Sequence, residues 1–291
     1  MTTPKYKRVL LKISGEAFCR EGGTGIDIDE ARSTARQIVE ASKVGSQVAV
    51  VVGGGNIVRG AGISTSGINQ ATGDYMGMLA TVINALALQD LIESLGRPTR
   101  VLTALPIQAV AEPWIRRRAI SHLEKGRIII LAAGTGNPHF TTDTAAALRA
   151  AEIGAEVLLK ASKVDGVYDR DPNEHAKAKR FERLTYLDVL NKRLGVMDVT
   201  AISMCMKHNL SIIVFNLRKE GNIVKAVRGE PIGTIISDTE EKKAPPLTPK
   251  PHRSIIPETH GVVAEGEPST QGDRLKVKRK LHLRNDPEER K

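Results

Sequence analysis

Two cysteines in 291 residues, Cys19 and Cys205, lie far apart and outside any C-x-x-C pair, which excludes a disulfide framework. The seven histidines show no metal-ligand spacing and argue against a zinc site. Aromatic residues are only 3% of the chain, too few for base-stacking platforms to be its main tool. No apolar run reaches membrane-spanning length, and the apolar stretch in MTTPKYKRVLLKIS is too short for a signal peptide. A reduced cytoplasm is the expected location, with no membrane partner. The two common nucleotide fingerprints, GxxxxGK[ST] and GxGxxG, are also missing.

What is present is a globular composition, 41% hydrophobic and 26% charged, in a chain of 31.5 kDa. A domain of this size buries roughly 70–75% of its unfolded surface, so no staple is needed. The net charge of +10 divides into +8 over residues 1–237 and +2 over residues 238–291, so the excess is not simply a basic tail. A chain that binds nucleoside phosphates is expected to carry such a surplus. Residues 238–291 hold seven of the fourteen prolines and no Phe, Trp or Tyr. Stretches such as EEKKAPPLTPKPHR bury too little apolar surface to offset their ordering entropy, so a flexible extension is predicted from Asp238 onward. Its segment RLKVKRKLHLR alternates basic and aliphatic residues. A solvated extension is favoured there over an arm binding RNA, acidic lipid or a protein.

Residues 1–237 alternate strand and helix signals. VLLKIS, QVAVVV, RVLTAL, RIIILAAG, EVLLK, SIIVF and TIIS read as strands. A helix follows Asp29 and ends before Gly45, and a long apolar helix runs from Met76 to Leu95, stopped by Gly96 and Pro98. Strands that are apolar throughout and alternate with helices predict a mainly parallel sheet covered on both faces, an α/β/α sandwich.

In open α/β sheets, ligands collect beyond the carboxyl ends of the strands, and several of those ends carry unusual residues. Gly53, Gly54 and Gly55 follow a strand and let backbone N–H groups converge on a phosphate; Arg59 then offers a planar fork of donors. A tight strand-to-helix turn with a surface arginine explains the same residues. Lys12 points opposite to Leu11 and Ile13, so it is either solvated or aimed into a site. In GTGNPHFTTDTAAALRA, threonine hydroxyls and free N–H groups at a helix N-terminus make an anion site, with Thr141 or Thr142 as cap. Asp74 reads as a helix cap or as a carboxylate for a ribose diol. Lys160 sits at a strand end, and Tyr168 in the loop beyond it either covers a purine ring or packs the loop. Asp198 reads as the cap of the following helix.

Taken together, KISGEA, GGGNIVRGAG, GDYMGMLAT, GTGNPHFTTDTAAALRA, KVDGVYDRDP and VMDVTA resemble the amino acid kinase family, most closely its bacterial uridylate kinase branch, from about Tyr6 to Ser237. The resemblance implies ATP-dependent phosphorylation of UMP to UDP, a step of pyrimidine nucleotide synthesis. It assigns ATP to Lys12, Ser14 and Gly15, with Gly55 and Arg59 at the phosphates and Ser162, Tyr168 and Asp171 at the nucleoside end. UMP is assigned to Gly54, to Asp74 at the ribose, and to Thr135, Gly136, Asn137, Pro138, His139, Phe140, Thr141 and Thr142. A GTP effector segment corresponds to Arg20, Glu21, Gly22, Gly23, Thr24 and Gly25. A homohexamer activated by GTP and inhibited by UTP is implied as well. In that frame Lys12 and Arg59 bind the transferring phosphoryl group, Asp198 holds Lys12, and Lys160 is a second cation. Magnesium arrives with ATP rather than in a fixed protein site, and Asp143 is its indirect partner.

Overall fold

The computed structural model describes residues 4–58, 67–175 and 177–238. The chain divides into two units, residues 1–242 and 243–291. The proposed extension therefore lies outside the described residues except for Asp238.

Nine strands among the described residues form one sheet: β1 (Arg8–Ile13), β2 (Gln47–Val52), β3 (Thr99–Thr103), β4 (Glu112–Pro113), β5 (Ile128–Ala132), β6 (Val157–Ser162), β7 (Arg183–Leu184), β8 (Ser211–Asn216) and β9 (Thr234–Ile236). Their order is β4-β3-β5-β2-β1-β6-β8-β9-β7. Every pairing is parallel except β8 with β9. The β-branched runs of β2 and β5 are buried along nearly their whole length, as a strand covered on both faces requires.

Seven α-helices among the described residues flank this sheet: α1 (Ile28–Lys43), α2 (Gln70–Ser94), α3 (Arg116–Glu124), α4 (Thr142–Ile153), α5 (Tyr186–Asn191), α6 (Val199–Lys207) and α7 (Asn222–Arg228). Because strand side chains alternate, β1 supplies both cores. Val9, Leu11 and Ile13 meet Ile38 of α1, Val82, Leu88 and Ile92 of α2, and Ile223 of α7. Leu10 faces the opposite way with Leu158 and Ile129, under Leu123 of α3, Ala146 and Ala150 of α4, and Ile202 of α6. Each such aliphatic side chain contributes about 1.5–3 kcal/mol on burial. The result is the expected three-layer α/β/α sandwich.

Two helix starts differ from the sequence reading. Asp27 caps α1, accepting from the Asp29 and Glu30 N–H groups, so Asp29 lies inside the first turn. Helix α2 opens six residues before Met76, where Asn69 accepts from the Ala71 N–H. The hydrophobic run marks where α2 becomes apolar, whereas the capping amide marks where it begins. By length and composition α2 could cross a membrane, yet Met78, Val82, Ala85, Leu88 and Ile92 bury one side of it in the core.

The chain steps from β1 to β2 on one side, and β6 returns on the other side of β1. The loops leaving the carboxyl ends of β1, β2, β5 and β6 therefore surround one crevice.

Candidate active site

Lys12 and Lys160 are direct register partners on the neighbouring parallel strands β1 and β6, and both lie on the Leu10/Leu158 face. A single carboxylate lies between them. Asp143 Oδ1 is 2.8 Å from Lys12 Nζ, and Oδ2 accepts a 2.6 Å hydrogen bond from Lys160 Nζ. The Lys12 contact is a close ion pair to an oxygen that is itself enclosed. All three side chains are nearly buried, with 11–14% of their surface accessible. The solvated alternative for Lys12 is thereby overturned.

The electrostatics follow from this crowding. Burial pushes the Asp143 carboxyl upward, but the Lys12 and Lys160 ammoniums outweigh it and hold the group below its ordinary value. Burial lowers Lys160, and the like charge of Lys12 adds to that; Asp143 opposes both. Two cations against one carboxylate leave a positive, poorly solvated spot at the N-terminal turn of α4, where helix N–H groups also favour an anion.

The expected Lys12–Asp198 pair is replaced by Lys12–Asp143. Asp198 is instead the cap of α6, accepting from the Ala201 N–H at 2.9 Å. Its carboxylate also accepts from the hydroxyls of Thr141 and Thr144. Thr141 in turn caps α4, accepting from the Asp143 and Thr144 N–H groups. Asp198 thus ties the starts of two helices together and sets where Asp143 stands, and its charge also supports the Lys160 ammonium from farther away than Asp143 does.

The β5 end supplies a strongly bent loop. Ala133, Gly134, Gly136 and His139 all have positive φ, between 57° and 83°. Thr81 of α2, buried, accepts from the Ala133 N–H at 2.7 Å and fixes the first bend. Asp74 lies in the second turn of α2 and does not cap it; its Oδ2 accepts from the His139 N–H at 2.7 Å. Thr135 exchanges 3.1 Å contacts with the Asn137 backbone, and Phe140 stands half exposed. Gly136, Pro138, Thr141 and Thr142 complete the loop into α4.

At the β2 end, Gly54 lies against α2: a Cβ there would fall 2.7 Å from the Gly77 carbonyl oxygen. Gly55 and Gly15 touch, a Cβ on Gly15 reaching to within 2.7 Å of the Gly55 nitrogen. Ser14 caps the short 3-10 helix Gly15–Phe18. Glu16 of that helix pairs with Lys163, just beyond Ser162, at 2.7 Å, bridging the loops after β1 and β6. Tyr168 pairs with Arg180 in an isolated bridge, and Asp171 Oδ1 accepts from the Asn173 N–H and side-chain amide. Of segment 20–25, Arg20 pairs with Asp27 at 2.7 Å and the Gly25 N–H bonds the Asn56 carbonyl at 2.8 Å. Glu21, Gly22, Gly23 and Thr24 form the intervening turn. Arg59 lies outside the described residues.

Sequence reasoning passed over Asp143 as a lysine clamp, and Thr81, Asn56 and Asn84 altogether. The available signal for Asp143 was its position: an acidic residue two places after the cap of a helix packed over β1.

The sequence pattern of the amino acid kinase family matches residues 7–216. Among solved structures, the chain is similar to a UMP kinase from Bacillus anthracis at 38% identity and a TM-score of 0.78, over 81% of this chain and 97% of that one. A UMP kinase from Ureaplasma parvum is 36% identical with a TM-score of 0.75, over 79% and 98% of the two chains. A uridylate kinase from Archaeoglobus fulgidus is 29% identical with a TM-score of 0.63, over 79% and 99%. A buried lysine pair clamped by one carboxylate, at the switch point of a fold matched over most of its length, gives the chain its place: it belongs to the amino acid kinase family.

Proposed function

We propose that the protein transfers the γ-phosphoryl group of ATP to UMP, giving UDP and ADP, within pyrimidine nucleotide synthesis. The single observation that carries this reading is the Lys12–Asp143–Lys160 clamp, a net positive site between the loops of β1, β2, β5 and β6. Its choice of acceptor rests on the likeness to UMP kinases at 36–38% identity.

In this reading an oxygen of the UMP phosphate attacks the γ-phosphorus as the bond from phosphorus to the β–γ bridging oxygen breaks, and ADP leaves. The acceptor phosphate is already anionic at neutral pH, so no general base is needed. Lys12 and Lys160 stabilise charge moving onto the bridging oxygen, and Asp143 keeps the two ammoniums apart and aimed. Gly15, Gly55, Ser14 and Arg59 hold the ATP phosphates; Ser162, Tyr168 and Asp171 hold its nucleoside end. Gly54, the 135–142 loop and the second oxygen of Asp74 hold UMP.

No group of three or more metal-ligating side chains exists among the described residues. Magnesium would instead arrive with ATP, and Asp143, whose carboxylate is paired with Lys12 and Lys160, would be its indirect partner. The ion neutralises phosphate charge when bound.

GTP activation through residues 20–25, UTP inhibition and a cytoplasmic location belong to the same proposal, as does the division at 237/238. So does a homo-oligomer, a hexamer by resemblance. Tyr75, Met76, Leu79 and Ile83 form an exposed apolar stripe on α2 that suits a second copy.

ADP release from magnesium and ATP, measured with UMP, CMP, acetylglutamate or no acceptor, tests the reading. Turnover with UMP well above the others is expected. A folded protein that binds ATP yet turns over none of them would refute it.

A further inference from the structure

Behind the glycine turn lies a buried amide pair that the clamp does not use. Asn56 and Asn84 are 1% and 0% exposed. Asn84 Nδ2 donates to Asn56 Oδ1 at 2.7 Å, and Asn56 Nδ2 returns a 3.0 Å bond to Asn84 Oδ1. The second hydrogen of each amide is also used: Asn84 donates to the Gly53 carbonyl at 2.8 Å, and Asn56 to the Gly25 carbonyl at 2.7 Å. These two carbonyls can only accept, so they fix the orientation of both amides. Neither a carboxylate nor an aliphatic side chain could take either place without stranding a buried polar group.

The pair joins four parts of the fold. Asn84 belongs to α2, and Asn56 ends the Gly53–Gly55 turn. Gly25 belongs to segment 20–25 and is bonded twice, since its own N–H also donates to the Asn56 carbonyl at 2.8 Å. Gly15, at the end of β1, has no room for a Cβ because Asn56 Oδ1 would lie 2.5 Å from it. A shift of Gly25 therefore moves Asn56, and with it the turn against which Gly15 rests.

We propose that the Asn56–Asn84 pair is a positioning element that fixes the Gly53–Gly55 turn for phosphoryl transfer and makes it answer to segment 20–25. The inference rests on the kinase reading above, because Gly15 and Gly55 are there the phosphate-binding backbone. It assigns Asn56 and Asn84 no contact with substrate. They act through the turn.

The test is a double-mutant cycle in the full chain, read as kcat and as KM for each nucleotide. Gly25→Ala perturbs the segment from outside: Gly25 has φ +76°, which an alanine adopts under strain, while nothing lies within 4 Å of the added methyl. Asn84→Leu removes the pair at similar volume. Each single variant is expected to lower kcat about tenfold with KM for UMP changed less than about threefold. In the Asn84→Leu background, Gly25→Ala should have a smaller effect than in the unmodified protein, because Asn56 stays bonded to Gly25 but no longer holds the turn against α2. Additive effects in folded protein would overturn the proposal, as would a kcat unchanged by Gly25→Ala. If Asn84→Leu does not fold, the Gly25→Ala arm alone still decides. Absence of UMP turnover in the unmodified protein would instead count against the kinase reading itself.

Discussion

Replacing Asp143 with asparagine tests the clamp most directly. The side chain keeps its shape, but two ammoniums then face each other across one strand spacing with no anion between them. At an effective dielectric constant of about 20, unit charges about 4 Å apart interact by about 4 kcal/mol. That gross attraction is partly offset by desolvation, and breaking one side of a buried pair costs about 3–5 kcal/mol net. The amide oxygen can still accept from one lysine, so the loss of stability should fall near the lower end, about 3 kcal/mol. Misaiming both lysines should reduce kcat by about 10²–10³. A pH signature separates this from simple destabilisation. Lys160 is already held below its ordinary value by burial and by Lys12, with Asp143 as its main opposing influence. Without that carboxylate its pKa drops further, so the fraction of enzyme with Lys160 protonated rises as pH falls. Assayed between about pH 9 and pH 6, the residual rate of the variant should therefore climb as pH falls, relative to the unmodified protein. Coupled ADP release across that range, with urea unfolding alongside, reads both effects. A folded variant with kcat within about threefold and an unchanged pH profile would refute the clamp's role.

Asp74→Asn keeps an acceptor for the His139 N–H but loses the charge offered to a ribose, so KM for UMP should rise about tenfold with a smaller change in kcat. Initial rates against UMP concentration check this. Gly54→Ala places a methyl 2.7 Å from the Gly77 carbonyl oxygen and 2.9 Å from Ala80 Cβ. It should cost about 1–3 kcal/mol, visible as a lower Tm. Cys205 is fully buried and its thiol is pushed up to about 12 by burial first and then by Asp143 and Asp198. Cys19 is buried too. Neither should react with a disulfide reagent at neutral pH until denaturant is added, when two thiols should appear. On the acid side, the depressed pKa of Asp143 contributes stability that is present above its unfolded value of about 4 and is lost as pH falls through the folded one.

The sheet was legible because its strands are apolar runs with few alternatives. QVAVVV, RIIILA and SIIVF cannot be amphipathic helices of useful length, and each became a buried strand, parallel to its neighbours except where β8 meets β9. The two-residue strands β4 and β7 carry no such signal: Glu112–Pro113 and Arg183–Leu184 pair only because neighbouring strands present an open edge. The start of α2 was hidden for a similar reason. Its first turns hold Gly73 and Asp74, polar or weak formers whose helicity is set by Asn69 and by packing further along.

The site divides along the same line. The glycine turn, the threonine cap and the two lysines are visible locally, because each is an unusual residue at the end of an apolar run. The partner of Lys12 is not. Asp198 and Asp143 both follow a cap position pattern, and spacing along the chain cannot say which carboxylate reaches β1. That choice is made by α4 packing directly over β1 with its first turn above the strand end, while α6 packs against α4 rather than against the lysines. Asp198 then has a different task, holding Thr141 and Thr144 so that the first turn of α4 cannot drift. Removing the Asp198 carboxylate should therefore misplace Asp143 without leaving either lysine unpaired. Its kinetic defect should be smaller than that of Asp143→Asn, and the rise in relative activity towards low pH should be weaker, because Asp198 supports the Lys160 charge less than Asp143 does. Measuring the two pH profiles side by side separates the group that bonds both lysines from one that acts mainly by setting its position.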